Sequence, residues 1–354
     1  MRPDQPEGGY RGMARVAAMA ALRVLFIGGN GTISAASSRL AIERGHDLTL
    51  LNRGVSAASD TPDARPPIEG ARSLVGDAGD PDSIRAAVAG QEWDVVVNFR
   101  SFSPEQAAAD VEIFDGVVGQ YVYISSASAY AKPVEHLPIT ESTPLKNPFW
   151  QYSRNKIASE EVLVRAWRER DFPATIVRPS HTYDERSIPI PGRWTAIDRL
   201  RRGAPVPVVG DGTSLWTLTH TRDFAVAFVG LLGDRRAVGD TFHITSDESL
   251  TWAQITRILA RAAGADEPEL IPIPGRAIGT ELQDELDGLV GDKVHSVVFD
   301  NSKVKALVPE YTATTRYWQG AAEVLAWYDA DERRRVVDPD VDAALDRLIT
   351  RFGS

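Results

Sequence analysis

Short apolar runs alternate with amphipathic segments through the first half of the chain. The apolar runs predict strands at residues 23–27, 46–51, 74–75, 94–97, 121–124 and 174–177. Segments with helical spacing lie between them, at residues 32–44, 82–89, 104–114 and 152–168. Such alternation is typical of a parallel sheet that is covered by helices on both faces. The pattern therefore predicts an α/β fold with a doubly wound parallel sheet.

The regular alternation stops after residue 178. Proline and glycine are frequent at residues 187–193 and 204–213, where the pattern predicts only short elements. Further along, helices are predicted at residues 223–232, 251–264 and 341–352, and a strand at 241–244. We expect this part to form a smaller unit that is partly interleaved with the sheet and closes over it.

Composition excludes several classes of function. The 354 residues carry a formal net charge of −10, which argues against partners such as nucleic acids or anionic membranes. Without cysteine the chain cannot form disulfides, thiolate nucleophiles, iron–sulfur clusters or cysteine-ligated zinc sites. The six histidines lack metal-ligand spacing, so no metal site is expected. No apolar stretch is long enough to span a bilayer, and the expected compartment is the cytoplasm.

A glycine-rich turn joins the first predicted strand to the first predicted helix. In this turn the backbone of Gly28 and Gly31 can approach a pyrophosphate closely, and the helix start offers free N–H groups. The pattern favours a Rossmann-type dinucleotide site in which Gly28, Asn30, Gly31, Thr32 and Ile33 bind the cofactor. A tight turn without a ligand is the alternative interpretation.

The end of the second predicted strand bears on the choice of cofactor. An acidic residue there would bind the ribose 2′-hydroxyl of NAD, but the chain has Asn52 and Arg53. Asn52 can still bond a hydroxyl, and Arg53 can pair with the 2′-phosphate of NADP. NADP is therefore favoured over NAD, although Arg53 can equally be a solvated turn residue.

Tyr152 and Lys156 are the strongest candidates for catalysis. Their i,i+4 spacing puts both side chains on one helix face, where the lysine cation would lower the pKa of the phenol. Ser125, Ser126 and Ser128 follow the fifth predicted strand, at the sheet edge where α/β folds bind ligands. Taken alone, Ser126 would be a turn residue; with the tyrosine and the lysine, catalysis is favoured.

Several motifs in this order resemble those of the extended short-chain dehydrogenases/reductases, in the NAD-dependent epimerase/dehydratase superfamily. They are GGNGTIS at residues 28–34, Gly76-Asp77, SSAS at 125–128, YSRNK at 152–156 and Arg178-Pro179. Within the superfamily, Asn-Arg-Gly at residues 52–54 resembles a branch that includes relatives of chloroplast stem-loop-binding proteins.

The resemblance implies a role for each matching residue. Tyr152 would be the general acid/base, Ser126 would polarise the carbonyl or carbinol, and Lys156 would lower the tyrosine pKa and bind the nicotinamide ribose. Asp77 would contact the adenine, and Ser125 would join the cofactor-binding set. The resemblance also implies a homodimer in which the helices at 104–114 and 152–168 form a four-helix bundle.

The chain also departs from the pattern of the superfamily. Ala127 and Ser128 stand where dehydratases have an Asp-Glu pair, which disfavours a 4,6-dehydratase. Trp216 stands where an arginine usually holds the nucleotide diphosphate; Arg100, Arg186 or Arg193 can replace that contact. The predicted substrate-binding set is Arg100, Ser128, His181, Tyr183 and Trp216. His181 and Tyr183 can instead only pack the domain junction.

These observations predict an NAD(P)-dependent oxidoreductase or epimerase that acts on a secondary alcohol or ketone of a sugar or nucleotide-sugar-like substrate. A plain NADPH-dependent ketoreductase of a specialised metabolite is the first alternative. A non-catalytic cofactor- or RNA-binding regulator on the same fold is the second.

The predicted domain organisation follows the same division of the chain. A dinucleotide-binding domain is expected at residues 21–180, with 214–248 returning to it. The substrate domain would consist of residues 181–213 and 249–330. Residues 1–20 are interpreted as a disordered leader, and residues 331–354 as a C-terminal helix.

Overall fold

The computed structural model describes residues 21–54 and 61–353. The leader predicted for residues 1–20 lies outside the described residues. Among the described residues, no helix is both long enough and apolar enough to cross a membrane.

Seven parallel strands form the central sheet, with strands numbered in chain order. They are β1 (Arg23–Ile27), β2 (Asp47–Asn52), β3 (Arg72–Val75), β4 (Trp93–Asn98), β5 (Val118–Ile124), β6 (Ala174–Pro179) and β11 (Thr241–Ile244). Their order across the sheet is β3–β2–β1–β4–β5–β6–β11. The chain reverses its winding direction at β1, which pairs with β2 on one side and β4 on the other. Ligands of doubly wound sheets bind at the carboxyl ends of strands beside such a reversal.

Short strands outside this sheet form three further pairs. They are β7 (His181–Tyr183) with β10 (Leu218–His220), β9 (Leu215–Trp216) with β12 (Leu250–Thr251), and β8 (Val206–Val209) with β13 (Leu270–Ile273). The pattern of the sequence did not predict β8 or β13. Pro207 and Pro272 interrupt their apolar character, and proline normally disfavours a strand.

Helices cover both faces of the sheet and build the smaller unit. They are α1 (Thr32–Glu43), α2 (Pro81–Val88), α3 (Pro104–Phe114), α4 (Gln151–Arg170), α5 (Arg193–Arg201), α6 (Thr221–Gly230), α7 (Trp252–Ala262), α8 (Gly275–Glu281), α9 (Leu286–Gly288), α10 (Ser302–Leu307), α11 (Tyr317–Asp329) and α12 (Pro339–Phe352). The sequence explains several helix starts: Ser103 caps α3 by accepting a hydrogen bond from the Gln106 amide, and Pro104 follows it.

Alternate residues of β1 pack into two different cores. Val24 and Phe26 lie in the core that includes residues of α1 and α6. Leu25 and Ile27 lie in the core that includes residues of α2, α3 and α4. This follows from the two-residue period of a strand, and it confirms the doubly wound α/β fold with helices on both faces.

Most residues of a third core come from the second half of the chain. It contains residues of α5, α7, α8, α11 and α12, including Trp252 and Leu345. β11 pairs with β6 and so returns the chain to the central sheet. The structure thus has a smaller, partly interleaved C-terminal unit, while the residue boundaries proposed for the substrate domain stay a prediction.

Candidate active site

The glycine turn after β1 leaves room for a ligand at the start of α1. Gly28 has φ +84°, a left-handed conformation that side chains rarely adopt. A Cβ on Gly29 would lie 2.3 Å from the Leu50 side chain, so only glycine fits there. α1 begins at Thr32, and its first N–H groups have no partner within the helix. These donors and the positive end of the helix suit a pyrophosphate.

The residues predicted to bind the rest of a dinucleotide lie around this turn. The Oδ1 atom of Asn30 is buried without a hydrogen-bond partner, although its Nδ2 donates to the Pro66 carbonyl over 3.2 Å. Asn52 ends β2, and Arg53 after it is exposed. Asp77 is also exposed, and its carboxylate accepts a hydrogen bond from the Gly79 amide. The turn, the buried acceptor and the open strand ends therefore fit a nicotinamide dinucleotide.

Lys156, one of the predicted catalytic residues, is buried. Its ammonium donates hydrogen bonds of 2.7 Å to the carbonyls of Ser101 and Ile124, at the ends of β4 and β5. The same nitrogen lies 5.6 Å from the centre of the Tyr152 ring. Two strand ends and one helix therefore meet at this lysine.

Ser126 lies beside Tyr152 at the end of β5. Its hydroxyl interacts with the Tyr152 phenol and lies 2.9 Å from the Ser128 hydroxyl. Ser153, the neighbour of Tyr152 on α4, donates to that same Ser128 hydroxyl over 2.7 Å. The structure thus brings Ser126, Ser128, Tyr152 and Lys156 together, as the sequence predicted.

The pKa shifts at this site differ from the expected lowering of the tyrosine pKa. Burial raises the pKa of Tyr152 to about 12, and the hydrogen bond from Ser126 only partly offsets this. Burial also lowers the pKa of Lys156 to about 7, against the opposing effect of Glu160. The phenol is therefore protonated at neutral pH, because desolvation outweighs the effect of the Ser126 hydrogen bond.

A buried ion pair supports the carboxyl ends of β5 and β6. Glu160, one turn after Lys156 on α4, accepts hydrogen bonds of 2.9 and 2.5 Å from the Arg178 guanidinium. Ser125 donates to the same carboxylate, so its hydroxyl lies in this buried network. The role of Ser125 in cofactor binding stays a prediction.

A cavity of about 590 Å³ opens beside Ser126 and Tyr152. Ser128, His181 and Trp216 of the predicted substrate set line it. The Trp216 indole donates to His181 Nδ1 over 3.1 Å, and burial lowers the pKa of His181 to about 3. The imidazole is therefore neutral at pH 7.

Two residues of the predicted substrate set lie elsewhere. Tyr183 is 0% exposed and packs against His220 and Tyr317 in the core of the smaller unit. Arg100 is exposed and packs against Gly28, where a Cβ would lie 2.5 Å from its Cγ. Neither lines the cavity, because β7 turns Tyr183 inward and the end of β4 carries Arg100 to the cofactor turn.

The cavity also has charged walls that the sequence analysis missed. Four acidic and two basic side chains line it: Asp284, Glu285, Asp287, Asp292, Arg193 and Lys293. Of these six residues the sequence indicates only Arg193, as a substitute for the absent diphosphate-binding arginine. Buried Lys132 pairs with Asp292 at 3.0 Å and holds that wall. Residues 283–293 carry no motif, so only the high density of acidic residues there was available as a signal.

Sequence comparison assigns a family to most of the sheet-forming part. The profile of the NAD dependent epimerase/dehydratase family matches residues 24–244. This range contains the glycine turn, the serines after β5, and the Tyr152–Lys156 pair.

Two curated relatives are 27% identical to this chain. The first is the 2'-dehydrokanamycin reductase of Streptomyces kanamyceticus, aligned over 338 residues that cover 94% of this chain and 91% of the relative. The second is the chloroplast stem-loop binding protein of 41 kDa b of Arabidopsis thaliana, aligned over 270 residues that cover 74% of this chain and 68% of the relative.

Solved structures share the fold. The dTDP-glucose 4,6-dehydratase of Bacillus anthracis in complex with NAD superposes with a TM-score of 0.68, and the match covers 88% of this chain and 98% of that one. The identity is 16%, so this likeness concerns the fold alone.

Proposed function

The chain belongs to the NAD-dependent epimerase/dehydratase family, and on that premise we propose that it is an NAD(P)-dependent oxidoreductase acting on a ketone or secondary alcohol of a sugar-like substrate. One observation carries the proposal. Ser126 and Tyr152 line the cavity, and buried Lys156 is bonded to the carbonyl of Ser101, next to the Arg100 that packs on Gly28. Hydroxyl donors are thus placed between a dinucleotide turn and a substrate-sized space.

The proposed roles follow from the protonation of these groups. Tyr152 donates its proton to the carbonyl oxygen as that oxygen gains negative charge, and Ser126 donates a second hydrogen bond to it. A bound NAD(P)H supplies the hydride. Lys156 holds a ribose hydroxyl and places its positive charge near the phenolate that remains.

We propose that the protein is a ketoreductase, which runs half of the cycle that an epimerase completes. In this direction the Tyr152 phenol is the proton donor. The name of the relative aligned over most of both chains, a reductase, supports this choice.

The charged walls favour a substrate without a diphosphate. Acidic groups outnumber basic ones around the cavity, and the arginine expected at the diphosphate is Trp216. An anionic nucleotide would meet net repulsion there, whereas a sugar with ammonium groups would be attracted. We propose that the substrate is an amino-bearing sugar ketone, in agreement with the name of the same relative.

A substrate panel tests this proposal. We expect NADPH oxidation, followed by absorbance, to be faster with amino-bearing sugar ketones than with neutral ones, and slowest with nucleoside-diphosphate sugars. Asp287→Asn should reduce the preference for the amino sugar by about fivefold, which corresponds to the free energy that an exposed ion pair contributes. Asp266→Asn, an exposed change outside the cavity, is the control. Equal rates for all three substrates, or a preference for the nucleotide sugars, would contradict the proposal.

The cofactor preference has a separate test. If Arg53 pairs with a 2′-phosphate, Arg53→Ala should weaken NADPH binding by about tenfold and leave NADH binding unchanged, because the pair is solvent-exposed. Fluorescence titration of both cofactors measures this, with Arg72→Ala on the neighbouring strand as control. A parallel loss for both cofactors would show that Arg53 is only a turn residue.

We also propose that the protein works as a homodimer in the cytoplasm. In support of the dimer, the packed pair of helices α3 and α4 carries half-buried apolar residues, Ile113, Ile157 and Val164. In the four-helix bundle implied by the family resemblance, the partner subunit would cover these residues.

A further inference from the structure

A short segment after β2, residues 62–66, is hydrogen-bonded to the glycine turn. We call this segment the strap. Arg334 donates to the Pro62 carbonyl over 3.1 Å, and Arg186 donates to the Asp63 carbonyl over 2.7 Å. At its other end, Asn30 of the glycine turn donates to the Pro66 carbonyl over 3.2 Å. The strap is therefore held between the C-terminal part of the chain and the start of α1.

The strap places a guanidinium at the first residue of α1. Arg65 donates from Nη2 to the Thr32 hydroxyl over 3.2 Å and forms an ion pair with Asp184. The side chains of Arg65 and Asp184 are 18% and 4% exposed, respectively. Asp184 also accepts hydrogen bonds from the Arg186 amide and the Ser187 hydroxyl, which fix the carboxylate in place.

The local electrostatics require an anion at this position. The N-terminus of a helix carries partial positive charge, so a guanidinium beside it is unfavourable unless an anion lies close to both. Asp184 supplies that anion in the free protein. A cofactor pyrophosphate at the start of α1 would supply two further negative charges at the same place.

We propose that Arg65 is a phosphate-binding residue for the dinucleotide, and that Asp184 is an internal anion which the pyrophosphate displaces from it. This inference rests on the proposed function, since it needs the cofactor at the glycine turn. The carboxylate competes with the pyrophosphate for Arg65 and repels it. Loss of the arginine and loss of the carboxylate therefore have opposite effects on affinity.

Calorimetric titration with ADP and with adenosine tests the proposal, because only ADP carries the diphosphate. Arg65→Gln should weaken ADP binding by about tenfold and leave adenosine binding unchanged. Asp184→Asn, which keeps the acceptor for Ser187, should tighten ADP binding severalfold. Arg44→Gln, at the opposite end of α1, is the matched control and should change neither. Melting temperatures of all variants confirm that they fold.

The possible results separate failure of this inference from failure of the proposed function. Equal weakening of ADP and adenosine by Arg65→Gln, or weaker ADP binding in Asp184→Asn, would show that the pair only holds the strap and would overturn the inference. If the wild-type protein binds ADP and neither substitution changes the affinity, only the inference is overturned. Wild-type protein that binds neither ADP nor NADPH overturns the proposed function as well.

Discussion

Replacing Tyr152 by phenylalanine should remove turnover while leaving the fold and cofactor affinity intact. The change deletes one hydroxyl, which is the proton donor in the proposed reaction and a partner of Ser126. General acid catalysis contributes typically 10²–10⁴-fold, so kcat should fall by about a thousandfold. Steady-state kinetics with NADPH and the best ketone of the panel measure this. Binding titrations on the same sample show whether the cofactor site is unchanged.

Tyr311→Phe is the matched control for this variant. It removes a phenol that donates to the Thr245 carbonyl over 2.6 Å in the core beside α6. A modest loss of stability and near-normal kcat are expected, since this hydroxyl has no role in the reaction. Near-wild-type kcat in Tyr152→Phe would end the assignment of Tyr152 as proton donor.

Replacing Glu160 by alanine should cause the largest loss of stability among single changes near the site. The change leaves the Arg178 guanidinium, which is 5% exposed, without its carboxylate. Breaking a buried ion pair by removing one partner costs about 3–5 kcal/mol, because an uncompensated charge stays buried. Urea unfolding at neutral pH measures the free energy of unfolding.

Glu161→Ala supplies the control on the next residue of α4. Glu161 is exposed, so its loss should change the free energy of unfolding by less than about 0.5 kcal/mol. The double variant Glu160→Met with Arg178→Met should recover part of the stability, because neither charge is then buried alone. If Glu160→Ala were as stable as Glu161→Ala, the pair would have no part in holding β5 and β6.

The central sheet was predictable because its signals are local. The strand at residues 23–27, the helix at 104–114 and the strand at 241–244 have the predicted bounds, since apolar runs and caps mark both ends. β8 and β13 were missed because their prolines mask the pattern. α11 was not predicted either, because its helical spacing alone did not single it out.

α11 packs against α7, and its residues Tyr317, Val324 and Leu325 are buried in the third core. Such a helix is stabilised mainly by tertiary contacts, which its own sequence does not display.

The candidate site was predictable where neighbours in sequence are neighbours in space. Tyr152 and Lys156 share a helix face because they lie one turn apart, and Ser126 follows a strand that ends beside them. For Tyr183 the sequence left substrate binding and packing both open, and the structure packs it in the core. A strand of three residues does not by itself reveal which of its faces is buried. Arg100 was assigned to the substrate because nothing local shows that it packs on Gly28.

By itself, the sequence determined the parallel α/β sheet, the glycine turn at the start of α1 and the serine, tyrosine and lysine of the site. Periodicity, turn chemistry and helix spacing act over a few residues, so they are legible in the chain. Only the tertiary structure decided the charged cavity walls, the raised pKa of Tyr152 and the pairing of Arg65 with Asp184. That pair joins residues 119 positions apart, and the pKa shift arises from burial. Both depend on how distant segments pack together, which no local pattern of residues specifies.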